Sequence, residues 1–200
     1  MPTPIDFYFD FSSPYGYLAS ERIEALAAKF GRTTDWHPVL LGAVFKETGM
    51  APLTSIPIKG DYSRLDFARS ARYRAVPFNM PEKFPISTQT PARIMLWLKG
   101  NDPARAVRVA HALYRAYFIH GTDISDVDQA IAVVAEHGVD RAAARAAIAD
   151  PAVKDALRHE VERAMARGVF GSPYMIVDDQ PFWGFDRLDQ VEHWLAKGGF

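Results

Sequence analysis

The 200-residue chain contains no cysteine. That excludes disulfides, thiolate metal sites and dithiol chemistry carried by the protein itself. Any sulfur nucleophile held here must come from a ligand, and the absence fits a reducing compartment. An excess of either charge is also missing. Lys and Arg number 23 and Asp and Glu 24, for a net charge of -1, so no bulk attraction to nucleic acid or a membrane surface is expected. No stretch nears the roughly 20 apolar residues of a membrane-spanning helix. The first residues enter a strand pattern without a basic region and apolar run, so no signal peptide is expected and a cytoplasmic location is. There is no glycine-rich phosphate loop, no paired catalytic carboxylates and no basic-aromatic strip. The six histidines (His37, His111, His120, His137, His159, His193) show no metal-ligand spacing and read as structural or exposed, so no metal is expected.

What is present centres on Asp6 to Leu18, DFYFDFSSPYGYL. Ile5 to Phe11 reads as an aromatic-rich strand carrying carboxylates at Asp6 and Asp10. Ser13-Pro14 reads as a helix start, with Ser as N-cap and Pro at the first helical position. Leu18, Ile23 and Leu26 continue an apolar stripe to a stop near Gly31. A hydroxyl thus sits where a strand delivers the chain into a helix N-terminus, where unpaired amides and the helix dipole favour an anion. By itself such a serine is also an ordinary helix cap.

Thr33 to Leu41 reads as a second strand, with Pro38 marking an edge or an end. From Gly42 to Gly168 the pattern is helical throughout. Helices are expected at Gly42–Thr48, Asp61–Ala75, Arg93–Lys99, Pro103–Ile119, Ser125–Glu136, Asp140–Ile148 and Pro151–Arg167. The proline-rich stretch from Val76 to Pro91 reads as irregular. Strands return at Tyr174–Val177 and Gln180–Trp183 around an Asp178-Asp179 turn, and a helix closes the chain at Arg187–Lys197. The order β-α-β, helical insertion, β-β-α is that of an α/β, thioredoxin-like fold interrupted by a large all-α insertion domain. The expected division is 1–41 with 169–200, and 42–168 for the insertion.

Two further stretches carry candidate chemistry. Gly171-Ser172-Pro173-Tyr174 enters the third strand. In a thioredoxin-like fold that proline is cis and faces the first helix, leaving the backbone of Ser172 exposed to pair with a peptide-like ligand. Trp183-Gly184-Phe185-Asp186-Arg187 precedes the last helix. Asp186 reads either as its N-cap or as one end of a site for a γ-glutamyl group.

Together DFYFDFSSPYGYL, KGDYSRLDFAR, GVFGSPYM and WGFDRL, in this order from Ile5 to Trp194, resemble the 2-hydroxychromene-2-carboxylate isomerases. These are relatives of kappa-class glutathione transferases and DsbA-like oxidoreductases. The resemblance implies glutathione as cofactor and a serine in place of the oxidoreductases' cysteine, which falls on Ser13. It implies glutathione contacts at Ser172 and Pro173, and a γ-glutamyl site at Trp183, Gly184, Phe185 and Asp186. Substrate contacts fall on Lys46, Lys59, Arg69 and Phe84. Lys59 and Arg69 match the family's central helix pattern together with Tyr62 and Asp66. Phe84 stands where relatives carry a tyrosine, the lysine aligns at Phe45 or Lys46, and Leu53-Thr54 replaces an Asn-Arg pair. Read singly, Lys46, Lys59 and Arg69 are ordinary solvated charges. The implied activity is glutathione-dependent isomerisation of an aromatic keto acid by a homodimer. The alternatives are a kappa-like transferase or peroxidase, and a non-catalytic thioredoxin-fold binding module.

Overall fold

The computed structural model describes residues 3–200, so the first two residues of the expected 1–41 segment lie outside it. The aromatic run forms strand β1 (Ile5–Phe9). Side chains alternate across a strand: Ile5, Phe7 and Phe9 are fully buried on one face, and Asp6 and Tyr8 lie on the other. Helix α1 (Pro14–Lys29) follows, and β2 (Thr34–Pro38) returns parallel to β1. Seven helices come next: α2 (Leu41–Thr48), α3 (Lys59–Tyr73), α4 (Gln89–Asn101), α5 (Pro103–Phe118), α6 (Val127–Ala135), α7 (Arg141–Ala149) and α8 (Pro151–Ala166). The chain ends in β3 (Tyr174–Val177), β4 (Gln180–Trp183) and α9 (Leu188–Lys197). The four-stranded sheet has the order β2-β1-β3-β4, with β3 antiparallel to both β1 and β4. This is the expected thioredoxin-like arrangement with α2 to α8 running between β2 and β3.

Prolines sit where their missing N–H does no harm. Pro38 and Pro181 lie on the two edge strands. Pro14, Pro103 and Pro151 each open a helix behind a capping Ser13, Asp102 or Asp150. Asp178 and Asp179 both adopt positive φ, 49° and 63°, the backbone that a two-residue hairpin turn requires.

Sheet and helices share one apolar core. Phe7 and Phe9 stack at 5.5 Å between centroids, and Trp36 meets both edge-on at 4.9 and 5.2 Å. Tyr114 of α5 packs on Phe9 and Phe11. Across the sheet, Ala164 of α8 joins Tyr8, Val39, Val169, Tyr174 and Ile176 in a second cluster.

Several expected boundaries move. β1 ends at Phe9, because Asp10 turns its carbonyl to Ser13 N–H (2.9 Å) and to the Tyr114 hydroxyl (2.9 Å). α4 begins at Gln89, inside the stretch expected to be irregular, because Pro91 falls in the first turn. Asp186 does not cap α9. A 3-10 turn at Phe185–Arg187 intervenes, no side chain caps either element, and Asp186 Oδ2 pairs instead with Arg187 Nη1 at 3.2 Å.

Candidate functional site

Ser13 is the N-cap of α1 with extended backbone, φ -95° and ψ 112°. Its Oγ accepts from Gly16 N–H (3.0 Å) and donates to the Ser172 carbonyl (2.8 Å), although 159 residues separate the two serines. Pro14 has no N–H, and the Tyr15 N–H has no partner among the described residues. The first turn therefore presents one open amide beside the Ser13 hydroxyl, a setting that stabilises negative charge.

The Ser172–Pro173 peptide is cis, as expected, and faces α1. Ser172 is buried as a residue: its Oγ accepts from Asp10 N–H (2.9 Å), and its carbonyl accepts once from Ser13, which leaves a second lone pair on that oxygen. Gly16 permits this close approach: a Cβ there would lie 2.7 Å from Ser172 Oγ and 2.8 Å from the Tyr114 hydroxyl. On the far side, the Pro173 carbonyl accepts from Gly184 N–H (3.0 Å). Trp183 lies over Gly171 so closely that a Cβ at 171 would strike its indole nitrogen. Ser13, Ser172, Pro173, Trp183 and Gly184 are thus brought together by direct contacts.

Phe185 and Asp186 join through Tyr15. The Phe185 ring stacks on Tyr15 at 5.2 Å, Tyr15 meets Phe67 edge-on at 4.9 Å, and Phe67 meets Phe84 at 6.3 Å. These four rings form an aromatic wall beside the first turn of α1. The Tyr15 hydroxyl donates to Asp66 Oδ2 at 2.6 Å, tying α1 to α3. Asp66 also receives Arg69, whose Nη2 donates in turn to the Tyr62 hydroxyl (3.0 Å). Burial alone would raise the Asp66 pKa, but the Tyr15 and Arg69 hydrogen bonds hold it below the usual carboxylate range. Burial, the Asp66 hydrogen bond and the nearby charge of Asp186 push the Tyr15 phenol up. Asp66 is thus taken up by Tyr15 and Arg69, whereas Asp186, paired with Arg187 at 3.2 Å and mostly exposed, is the carboxylate near Tyr15 that can still accept from an ammonium ligand.

Lys46 and Lys59 are exposed and pair with no carboxylate among the described residues. Lys46 lies in the last turn of α2, and Lys59 opens α3. No direct contact ties either lysine to the serine pair.

The residue with the widest reach here is Asp10, noted in the sequence only as a strand carboxylate. It is buried, and its carboxylate accepts from Ser12 N–H and from Leu41 N–H, both at 2.7 Å. Its backbone holds Ser13, Ser172 and Tyr114. Burial pushes its pKa up, and the two amides offset part of that. Asp10 therefore fixes the starts of α1 and α2 relative to each other. The signal in the sequence was a carboxylate inside an otherwise apolar aromatic run. Tyr15 carried no such signal, since its partner is 51 positions away.

Residues 4–196 match the DSBA-like thioredoxin domain. The chain is 34% identical over 197 residues to a 2-hydroxychromene-2-carboxylate isomerase from Sphingobium xenophagum, covering 98% of this chain and 99% of that one. It is 29% identical over 206 residues to glutathione S-transferase kappa 2 of Caenorhabditis elegans, covering 96% and 92%. A solved 2-hydroxychromene-2-carboxylate isomerase superposes with a TM-score of 0.87 at 28% identity, covering 96% of this chain and 94% of that one. On a shared frame that runs from one end of the chain to the other, this protein belongs to the 2-hydroxychromene-2-carboxylate isomerase family of DSBA-like thioredoxin-domain proteins, which has the kappa-class glutathione transferases among its relatives.

Proposed function

We propose that this protein is a glutathione-dependent isomerase of 2-hydroxychromene-2-carboxylate or a related aromatic-degradation intermediate, giving the trans-o-hydroxybenzylidenepyruvate type of product. The observation that carries this reading is the Ser13 hydroxyl, locked between the α1 N-terminus and the Ser172 carbonyl in a chain without cysteine. A thiol-directed position with no thiol of its own fits a borrowed one. Glutathione, when bound, supplies a nucleophile that adds reversibly to a conjugated keto acid and so permits rotation about its double bond.

The chain's own groups divide the remaining work. The Ser13 hydroxyl and the Tyr15 amide stabilise negative charge at the first turn of α1. Ser172 and Pro173 present the extended segment against which a peptide-like ligand lies. Trp183, Gly184, Phe185 and Asp186 offer a carboxylate to an amino group and backbone to its neighbour. Lys59 and Lys46 are offered to a substrate carboxylate together with the N–H groups of Arg69 not taken by Asp66, and Phe84 extends the aromatic wall toward an aromatic ring. The fit rests on the polar groups of the α1 N-terminus, the Asp186 carboxylate and the aromatic wall that joins them through Tyr15. We assign 1–41 with 169–200 to the thioredoxin-like domain and 42–168 to the insertion. A reduced thiol cofactor and the lack of cysteine agree with a cytoplasmic setting, and the expected partner is a small molecule rather than nucleic acid or membrane. Among the described residues, no helix is long and apolar enough to cross a membrane.

Titration calorimetry with reduced glutathione tests the reading. The wild type is expected to bind, and Asp186→Ala is expected to weaken binding about tenfold, the effect of one charge-assisted hydrogen bond. No binding at millimolar glutathione overturns the proposal and leaves the non-catalytic binding module. The kappa relative supports a second reading, in which glutathione leaves on the product. Mass spectrometry separates the two: an isomerase returns free glutathione, and a transferase yields a conjugate.

A further inference from the structure

A cavity of about 360 Å³ opens between β1, β2, α4 and α8. It lies on the other side of the sheet from α1: Phe7 and Phe9 pack with Tyr17 and Leu18 of α1, whereas Tyr8 turns to Ala164 of α8. Its volume falls at the lower end of small-molecule sites, about 300 to 1,000 Å³. Among the described residues, its wall has hydrogen-bond donors to spare and no unpaired carboxylate. Tyr8 is only 3% exposed; its hydroxyl accepts from Arg167 Nη1 at 2.6 Å, and its own proton has no acceptor. Arg167 uses Nη1 alone, toward Asp6 and Tyr8, which leaves Nε and Nη2. Lys99 Nζ meets Asp35 Oδ1 and the Trp36 carbonyl, so one of its hydrogens is left. Arg163 reaches Glu160 with Nη2 alone. Both Glu160 oxygens already face a cation, Oε1 toward His37 and Oε2 toward Arg163. A buried hydroxyl proton left unused is costly unless something accepts it.

Charge points the same way. Burial works against a charged His37, yet the carboxylates of Asp35, Asp6 and Glu160 push its pKa up to about 10. His37, Lys99, Arg163 and Arg167 thus stand against Asp6, Asp35 and Glu160, with one positive charge in surplus. Leu96 of α4 adds an apolar patch to the wall. We propose that this cavity is a ligand site apart from the one at Ser13, and that it takes a small organic acid bearing one carboxylate. The carboxylate accepts from the Tyr8 hydroxyl and from the unused N–H groups of Arg163 and Arg167, and the apolar body lies against Leu96. A ligand that only accepts hydrogen bonds suits a wall that mainly donates them. A single negative charge balances the surplus, where a phosphate dianion would exceed it.

The site does not depend on glutathione, and its test uses none. Benzoate is the probe, benzamide its neutral isostere and inorganic phosphate the comparison ion. Titration calorimetry on the full chain is expected to give a benzoate Kd of about 1 mM or lower, with benzamide and phosphate each weaker by about tenfold or more. Tyr8→Phe keeps the ring stacked on His37 and removes only the hydroxyl, and Arg163→Gln removes one exposed cation. Each is expected to weaken benzoate about tenfold with unchanged circular dichroism. The start of α1 also favours anions, so the place of binding is read separately. In isotope-labelled protein the backbone amide resonances of His37, Lys99 and Arg163 are expected to move with benzoate and that of Tyr15 to stay. No binding at about 10 mM benzoate, benzamide binding as well as benzoate, both variants binding like the wild type, or shifts confined to Ser13, Tyr15 and Trp183 would each overturn the site. Phosphate binding more tightly than benzoate overturns the monocarboxylate.

Discussion

Ser13→Ala is expected to lower kcat/KM for isomerisation by about 100-fold while leaving the protein folded. A hydrogen-bond donor aimed at charge that develops in a reaction is worth about 10² to 10³ in rate. The structural cost is read separately, in Tm. Removing the Ser13 hydroxyl deprives Gly16 N–H of its cap, worth about 1 kcal/mol. For a chain of this length that lowers Tm by about 2–4 °C. The Ser172 carbonyl also loses its donor in a buried hydrogen bond, which adds about 1 to 3 kcal/mol and a further fall in Tm. The two contributions are separable, because a capping role alone moves Tm and leaves kcat at saturating glutathione unchanged. The role of Ser13 in the chemistry also moves the pH profile. Without the hydroxyl a bound thiol ionises less readily, so the rise in rate with pH shifts to higher pH. Full isomerase activity in Ser13→Ala, at an unchanged pH profile, would falsify the role of Ser13.

The features that could be read in the sequence are those whose physics is local. The Ser13-Pro14 start, the Asp178-Asp179 turn and a helix start at Ser125 or Asp126, which the structure resolves to Asp126 as the cap of α6, each depend on residues within four positions of one another. Two of the three strand pairings follow from a β-α-β unit and one hairpin; the third, β1 with β3, joins residues about 170 positions apart and comes from the thioredoxin-like arrangement. What escaped depends on partners far away in the chain. Asp10 becomes a junction only when Leu41, Tyr114 and Ser172 arrive around it. The apolar positions of α3 were visible, but period alone does not tell which of two apolar faces turns inward: Phe67 is buried and Leu65 is exposed. Asp186 shows the limit of local signals from the other side. It has the residue type of a cap in the place of a cap, yet Gly184, at φ 111°, swings the carboxylate back over its own backbone, and α9 starts uncapped.

His37 is where the missed long-range contacts concentrate, and it sets the second large effect. Its Nδ1 meets Glu160 Oε1 of α8 at 2.5 Å, and its Nε2 lies 3.3 Å from Asp35 Oδ2 and 3.5 Å from Asp6 Oδ1. The latter two contacts are ionic rather than aligned hydrogen bonds. Asp6, Asp35 and His37 sit close enough to hold a cation. Arg167 at 2.7 Å from Asp6 and Lys99 at 2.5 Å from Asp35 already occupy those carboxylates, so the cluster reads as an ion-pair knot joining β1, β2, α4 and α8. Burial would lower the His37 pKa, but its three carboxylates prevail and push it up to about 10. The sign follows from linkage. A folded pKa above the ordinary 6.5 gives stability that is complete below pH 6.5 and is lost as pH rises toward 10. His37→Leu is therefore expected to cost about 2 kcal/mol near pH 6, below the usual penalty for breaking a buried pair, because each carboxylate keeps a second cation. The gap between wild type and His37→Leu should narrow steadily from pH 6.5 to pH 10. Urea unfolding of both proteins across that range measures it directly. A gap that stays constant with pH means that His37 is neutral in the folded protein and that packing, not charge, holds α8 to the sheet.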